Sequence, residues 1–200
     1  MTVEQIVEAG MAVFAEVGYE RLSMRLVAAR LRVQPGSLYY HVKNKSVLLA
    51  LMADRVAQEC QDAGRIAVAT LPADASPRQR IRAQVAALRV ALKRHPGGVL
   101  LFTASPQGLG PGALGLMERL LDTLTEAGLA GDDAIVTADI LLSYATGFVL
   151  QEQAEPMTEP LRPPGVPAEQ FPLTAQLAGR FDDNAMFDRA IDRLLDLVTP

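Results

Sequence analysis

The sequence predicts an all-α protein: an N-terminal three-helix head with a helix-turn-helix, then a larger helical body, about ten helices in all. Three observations predict it. Apolar residues recur at the three-to-four-residue spacing of a helix face, and no stretch alternates convincingly as a strand would. Helix-starting residues (Thr2, Ser23, Asn44, Ser76-Pro77) stand where those runs begin, and glycines or prolines stand where they end. Residues 22–45, LSMRLVAARLRVQPGSLYYHVKNK, read as two short helices joined by a tight turn and followed at once by another helix start, the arrangement that presents a recognition helix to a DNA groove.

The elements follow in order. Thr2 with Gln5 resembles a capping box for a first helix, whose apolar face is Val3, Ile6, Val7, Val13, Phe14 and Val17 and whose expected stop is Gly18. Ser23 caps a second helix, Met24 to about Leu31, with Leu26, Val27 and Leu31 inward. Val33-Gln34 turns the chain. Pro35 suits the first position of a third helix, where its missing N–H costs nothing, and Gly36 to Tyr40 complete that helix. Asn44 caps a fourth helix running to about Asp62. A helix opened by Ser76-Pro77 extends to about Arg94 and is broken by His95-Pro96-Gly97-Gly98. A short apolar stretch, Val99 to Thr103, precedes a turn-rich break over 105–111. Leu114, Met117, Leu121 and Leu124 mark the next helix, stopped near Gly128. The helix from Asp132 is apolar on nearly every side (Ile135, Val136, Ile140, Leu141, Leu142, Tyr144, Phe148, Val149, Leu150), so it is expected to be buried all round, by a subunit interface on one face and a core or pocket on the other. Six prolines in 154–172 predict a long extended loop. Two helices, about 173–180 and 184–198, end the chain, the last striped with Phe187, Ile191, Leu194, Leu195 and Val198.

Half of the 200 residues are hydrophobic, enough for a substantial core. We expect a DNA-binding head over 1–46 and a ligand-binding and dimerisation body over 47–200. No uninterrupted apolar run approaches the roughly 20 residues of a membrane span, so no membrane partner is expected. The N-terminus begins in helix pattern rather than as a signal segment. The single cysteine, Cys60, excludes an intrachain disulfide and suits a reducing cytoplasm. Mid-helix, with no histidine near it in sequence, Cys60 reads as a packing residue. Gly108-Leu109-Gly110-Pro111-Gly112 lacks the strand and lysine of a phosphate loop. No enzyme and no cofactor are expected.

Charge is distributed unevenly. Residues 19–45 hold six basic side chains (Arg21, Arg25, Arg30, Arg32, Lys43, Lys45) against one acid, Glu20, while the whole chain carries −4. An acidic protein with one basic segment suits a DNA binder that docks in one orientation. In that segment Gly36 and Ser37 permit close approach to a duplex. Tyr39, Tyr40 and His41 offer polar groups for phosphates and aromatic surface for a thymine methyl. Lys45, at a helix start, suits a phosphate, and Ser23 and Arg25 open the helix that crosses the backbone. Gln34 and Pro35 complete the candidate DNA-binding set.

In that set, Val17-Gly18-Tyr19, Ser23-Met24-Arg25, Gly36-Ser37-Leu38-Tyr39-Tyr40-His41 and Asn44-Lys45 resemble the DNA-binding head of the TetR (tetracycline-repressor) family of bacterial regulators. More loosely, Gly97-Gly98 followed by Pro106, the segment Gly147 to Gln153, the proline-rich loop and Phe187 resemble the body of its tetracycline-repressor subgroup. The resemblance implies an Ω-shaped homodimer joined through its eighth and tenth helices, binding a palindromic double-stranded operator and, by family habit, released from it as a repressor by a small organic inducer. It also implies a ligand cavity in each body.

Two departures stand out. Pro35 occupies the place of a base-reading glutamine, so the operator should differ. Leu101 aligns with the histidine that the subgroup uses on a drug–magnesium chelate, and Ser143 and Gln151 align with a supporting histidine and glutamate. No metal and no tetracycline response are therefore expected. Candidate ligand-binding residues are His95, Leu101, Phe102, Met117, Leu121, Asp139, Ser143, Tyr144, Phe148 and Gln151. Asp139, a carboxylate within an apolar helix, should find a partner arginine across the dimer or a cationic ligand. The competing expectation is a helical protein-interaction module without sequence-specific DNA binding.

Overall fold

The computed structural model describes residues 1–103, 110–154, 167–177 and 182–198. Most of the turn-rich break and most of the proline-rich loop lie outside the described residues. Among these residues the chain is helical, without strands. The head comprises α1 (Val3–Arg21), α2 (Met24–Leu31) and α3 (Pro35–His41). Helix α4 (Lys45–Ala69) runs from the head into a body of α5 (Pro77–Lys93), α6 (Gly98–Thr103), α7 (Pro111–Glu126), α8 (Gly131–Gln153), α9 (Pro172–Leu177) and α10 (Asp183–Val198).

The helix starts are chemical. Thr2 Oγ1 accepts from the Gln5 N–H at 3.3 Å, and Gln5 Oε1 accepts from the Thr2 N–H at 2.9 Å, a reciprocal capping box. Ser76 and Gln79 form a second such box at α5, while Ser23 and Asn44 cap α2 and α4 by accepting from the Leu26 and Val47 N–H groups. Gly18 does not end α1. It adopts φ 76°, cheap only for glycine, kinks the helix, and one further turn carries on to Arg21. Helix α4 passes Asp62 and continues to Ala69, because Gly64 is a packing point against Gln84 of α5 rather than a stop. In α2, Val27 and Ala28 are buried but Leu26 is exposed, contrary to its expected inward orientation.

One core runs through head and body. Ile6, Val13 and Phe14 of α1 join Val27, Leu38 and Leu48, and continue through Met52, Val56 and Cys60 to Leu88, Leu92, Leu124, Leu141 and Leu195. Burial pushes the Cys60 thiol up to about 12, so it packs and does not react. Helix α7 rests its backbone on α4. A Cβ at Gly112 would lie 2.6 Å from the Asp54 carbonyl oxygen and 2.7 Å from the Gln58 nitrogen, and one at Gly115 would collide with the Gln61 side chain. Backbone cannot step aside as a side chain can. Gly112→Ala is therefore expected to destabilise the fold by about 1–3 kcal/mol, the cost of overpacking, read as a lower urea midpoint.

Helix α8 is not buried all round within one subunit. Ala134, Ala138, Leu141, Ala145 and Val149 face the core, while Ile135, Val136, Ile140 and Leu150 are exposed. By length and composition this helix could cross a membrane. Its inner face is nevertheless committed to the core, and Asp139 interrupts its outer face. On the flank toward α10, Tyr144 and Phe148 cluster with Phe187, and the Arg89 guanidinium lies over both phenylalanine rings at 5.1 and 4.8 Å. Arg89 donates to Glu152 through Nε at 2.9 Å and Nη2 at 2.5 Å, and to Asn184 at 2.9 Å. Lys93 adds a bond to Glu152 at 2.7 Å. This network ties α5, α8 and α10 together.

Hydrogen bonds from Arg89 hold the Glu152 carboxyl below its ordinary value; burial opposes them and Lys93 reinforces them. A depressed folded value means the stabilisation is full above the ordinary carboxylate range and is lost as pH falls through the folded value. The gap in thermal midpoint between wild type and Glu152→Gln should be widest near neutral pH and should close on acidification through that range.

Candidate DNA-reading surface and ligand cavity

Helix α3 is anchored by one side chain. Leu38 is fully buried in the head, which is worth about 1.5–3 kcal/mol of burial, and it turns its neighbours outward. Tyr40 is 89 % exposed and Tyr39 48 %, and His41 packs edge-on against Tyr40 with ring centroids 5.2 Å apart. Pro35 takes the first helical position, and the Gln34 side chain makes no capping bond. Gly36 and Ser37 are exposed; a Cβ at Gly36 would meet nothing within 4 Å, so the subunit's own packing does not require a glycine there. The turn before α3 is closed by Arg32 in the left-handed region (φ 57°), with the Val33 N–H bonded to the Ala28 carbonyl at 3.0 Å. Arg25 is exposed, and Ser23 is spent partly on its cap, accepting from the Leu26 N–H at 3.3 Å. Arg30 pairs with Glu16. Arg25, Gln34, Gly36, Ser37, Tyr39, Tyr40 and His41 are thus all exposed in this short stretch of the head.

Lys45 is engaged within the head. Its Nζ donates to the carbonyls of Tyr19 at 3.2 Å and Glu20 at 3.4 Å, and lies 5.6 Å from the centre of the Tyr19 ring. The ammonium thus satisfies the end of α1 and fixes α4 against it, a cation at a helix C-terminus.

In the body, a cavity of about 170 Å³ lies between α4, α6, α7 and α8. Phe102 and Met117 line it, with Ala53, Asp54, Ala57, Leu114, Leu116 and Leu142. The structure does not bring the other sequence-predicted ligand residues there. Leu101 is buried in the core, and Leu121 packs against the core. Tyr144 and Phe148 belong to the Arg89 cluster. Ser143 and Gln151 are exposed. Asp139 is exposed on the outer face of α8, so no desolvated carboxylate exists there within one subunit.

His95 sits at the joint between head and body. Its Nε2 is 2.7 Å from Glu59 Oε2, beside a hollow of about 220 Å³ that Glu4, Val7, Glu8 and Met11 of α1 also line. Burial pushes the Glu59 carboxyl up, but hydrogen bonds from His95 and Arg55 outweigh it and leave the group below its ordinary value. Gln153 holds the same turn from α8, accepting from the Gly97 N–H at 3.2 Å and donating to the His95 carbonyl at 3.2 Å.

Sequence reasoning missed Asp54. Its Oδ1 accepts from the Gly112 N–H at 2.8 Å and the Ala113 N–H at 3.3 Å, so a side chain of α4 caps α7, whose own N-cap residue, Gly110, has none. The only signal was the absence of a capping side chain before Pro111.

Two family models divide the chain: residues 6–52 match "Bacterial regulatory proteins, tetR family" and residues 71–196 match "Tetracyclin repressor-like, C-terminal domain". The chain belongs to the TetR family. It is 32% identical to the class A tetracycline repressor from transposon 1721 of Escherichia coli, over 96% of this chain and 86% of that protein. It is also 32% identical to an HTH-type transcriptional regulator of Saccharopolyspora erythraea and to the HTH-type transcriptional repressor DrrR1 of Streptomyces coeruleorubidus, over 76% and 79% of this chain. The chain spans 61% and 57% of those two proteins' lengths.

Among solved structures, the Streptomyces coelicolor TetR family protein ActR in complex with (S)-DNPA superposes with a TM-score of 0.82 at 25% identity, covering 99% of this chain and 96% of ActR. BioQ bound to its natural double-stranded DNA operator gives 0.71 at 26% identity, covering 99% and 98%. Within this TetR-family body the residues do not fit a magnesium chelate. Leu101 has no donor, Ser143 and Gln151 are exposed and are not among the cavity's lining residues, and no group of three or more His, Cys, Asp or Glu side chains suited to a metal occurs among the described residues.

Proposed function

We propose that this chain is a ligand-responsive transcriptional repressor that binds a palindromic operator as a homodimer and is released by a small organic inducer. The observation that carries the reading is α3: a short helix pinned by buried Leu38, with Tyr39, Tyr40 and His41 presented outward and an unencumbered Gly36 at its tip. DNA-bound BioQ and ligand-bound ActR, which share the fold, support the two halves of the reading.

In this reading the head is 1–46 and the body 47–200. A second copy covers the apolar outer face of α8, and the exposed Arg189 and Arg193 of its α10 supply the counter-charge for Asp139. The two α3 helices of an Ω-shaped dimer then enter successive major grooves, roughly 34–36 Å apart. An inducer acts by preferring the body shape that breaks this spacing; operator affinity falls by its differential affinity for the two shapes. The site of action is the bacterial cytoplasm, where the operator is.

Competition at physiological salt tests the reading. A specific regulator should prefer its operator to unrelated duplex by about a thousandfold or more. An equal preference would favour a helical interaction module instead. The missing chelating groups also predict that magnesium with tetracycline produces no binding heat; micromolar binding by calorimetry would contradict the cavity assignment.

A further inference from the structure

We propose that the body cavity takes an apolar organic ligand carrying a protonated amine, and that Asp54 is the residue that reads the amine. The inference rests on the ligand-responsive reading above and deepens it to a ligand class. The cavity walls are hydrocarbon and aromatic: Ala53, Ala57, Phe102, Leu114, Met117 and Leu142. Asp54 is the one ionisable side chain among the described lining residues. A lone charged group in an apolar cavity sets what can enter, because a ligand that leaves it unmatched must strip it of water without return.

The backbone around Asp54 fixes the sign of the preference. The first N–H groups of α7 would otherwise attract an anion, but Asp54 Oδ1 already accepts from Gly112 at 2.8 Å and Ala113 at 3.3 Å. Oδ2 has no hydrogen-bond partner among the described residues and is the acceptor left for a ligand. Among the described residues no Lys, Arg or His lines the cavity to receive a carboxylate. A cation with an apolar body matches both features, and a charge-assisted bond to Oδ2 orients it. Asp54 also lies on α4, the helix that leaves the head, so an ammonium drawing on this carboxylate pulls against its bonds to α7.

The experiment uses the full chain and three probes of one shape: 1-naphthylmethylammonium, neutral 1-methylnaphthalene and anionic 1-naphthylacetate. The chain has no tryptophan, so naphthalene fluorescence reports binding directly. The ammonium should bind about tenfold or more tighter than the neutral probe, as expected of a charge-assisted pair out of bulk water, and the anion weakest of the three. In Asp54→Asn, which keeps an oxygen for the α7 N–H groups, the ammonium's advantage should vanish while the neutral probe binds as before. The wild-type ranking stands whether or not the variant folds. An ammonium bound no better than the neutral probe, an advantage that survives in Asp54→Asn, or no binding by any probe would each overturn the proposal. None of these outcomes touches operator binding, so the failure of the ligand class and the failure of the repressor reading are separately visible.

Discussion

Truncating Glu152 to alanine is expected to destabilise the protein by about 3–5 kcal/mol, the cost of leaving a buried cation without its partner. The Arg89 and Glu152 side chains are each only 9 % exposed. Arg89 is held by two bonds to Glu152 and one to Asn184 and lies on the faces of Phe148 and Phe187. Removing the carboxylate strands the guanidinium where water reaches it poorly. The double replacement Arg89→Met with Glu152→Leu should cost much less, because it removes both charges and keeps the volume. Urea unfolding of the two variants measures the difference. A small loss in Glu152→Ala would mean that water solvates Arg89 freely and that the network does not fasten α10 to α5 and α8.

The second large effect is on DNA. Replacing Tyr39 and Tyr40 together by alanine should weaken operator binding by about 1–3 kcal/mol for each tyrosine removed, roughly fivefold to 150-fold apiece, with little change in stability. The stability expectation follows from exposure: Tyr40 is almost wholly in solvent, and Leu38 carries the packing of α3. Lys45→Ala should behave differently. It releases the carbonyls of Tyr19 and Glu20, so it loosens the α1–α4 junction and lowers head stability along with binding. Thermal melting beside fluorescence anisotropy on one operator duplex separates the two cases. Loss of fold in the tyrosine variant would undo the placement of α3 as an outward reading helix.

How much of this was legible in the sequence depends on the range of the interaction. The caps at Thr2, Ser23, Asn44 and Ser76 act over three residues, and the helix starts they mark are present in the structure. Pro35 and the LYYH stretch are equally local. Leu26 departs from its expected orientation because a two-turn helix with neighbouring apolar residues has no unique inner stripe, and packing against α1 and α3 selects Val27 and Ala28. Asp139 looks buried in the sequence because its helix is apolar on both sides; topology leaves its outer face to solvent in one subunit. The position of His95 before α6 gives no hint of its partner Glu59, 36 residues earlier on α4. Asp54 stands in an ordinary amphipathic helix, and its meaning lies 58 residues away at Gly112. Long-range polar partners carry no local pattern, which is why the exposed stretch of α3 and the apolar cavity residues Phe102 and Met117 could be read from the chain and Asp54 could not.

The central claim is that a dimer of this chain reads a defined DNA sequence. Selection from a pool of random duplexes with the purified protein at physiological salt tests it most directly. The account predicts enrichment of a two-fold symmetric site whose half-sites are spaced by about one helical turn, lost when Tyr39 and Tyr40 are alanine. Recovery of no common sequence by a folded, dimeric protein would contradict it.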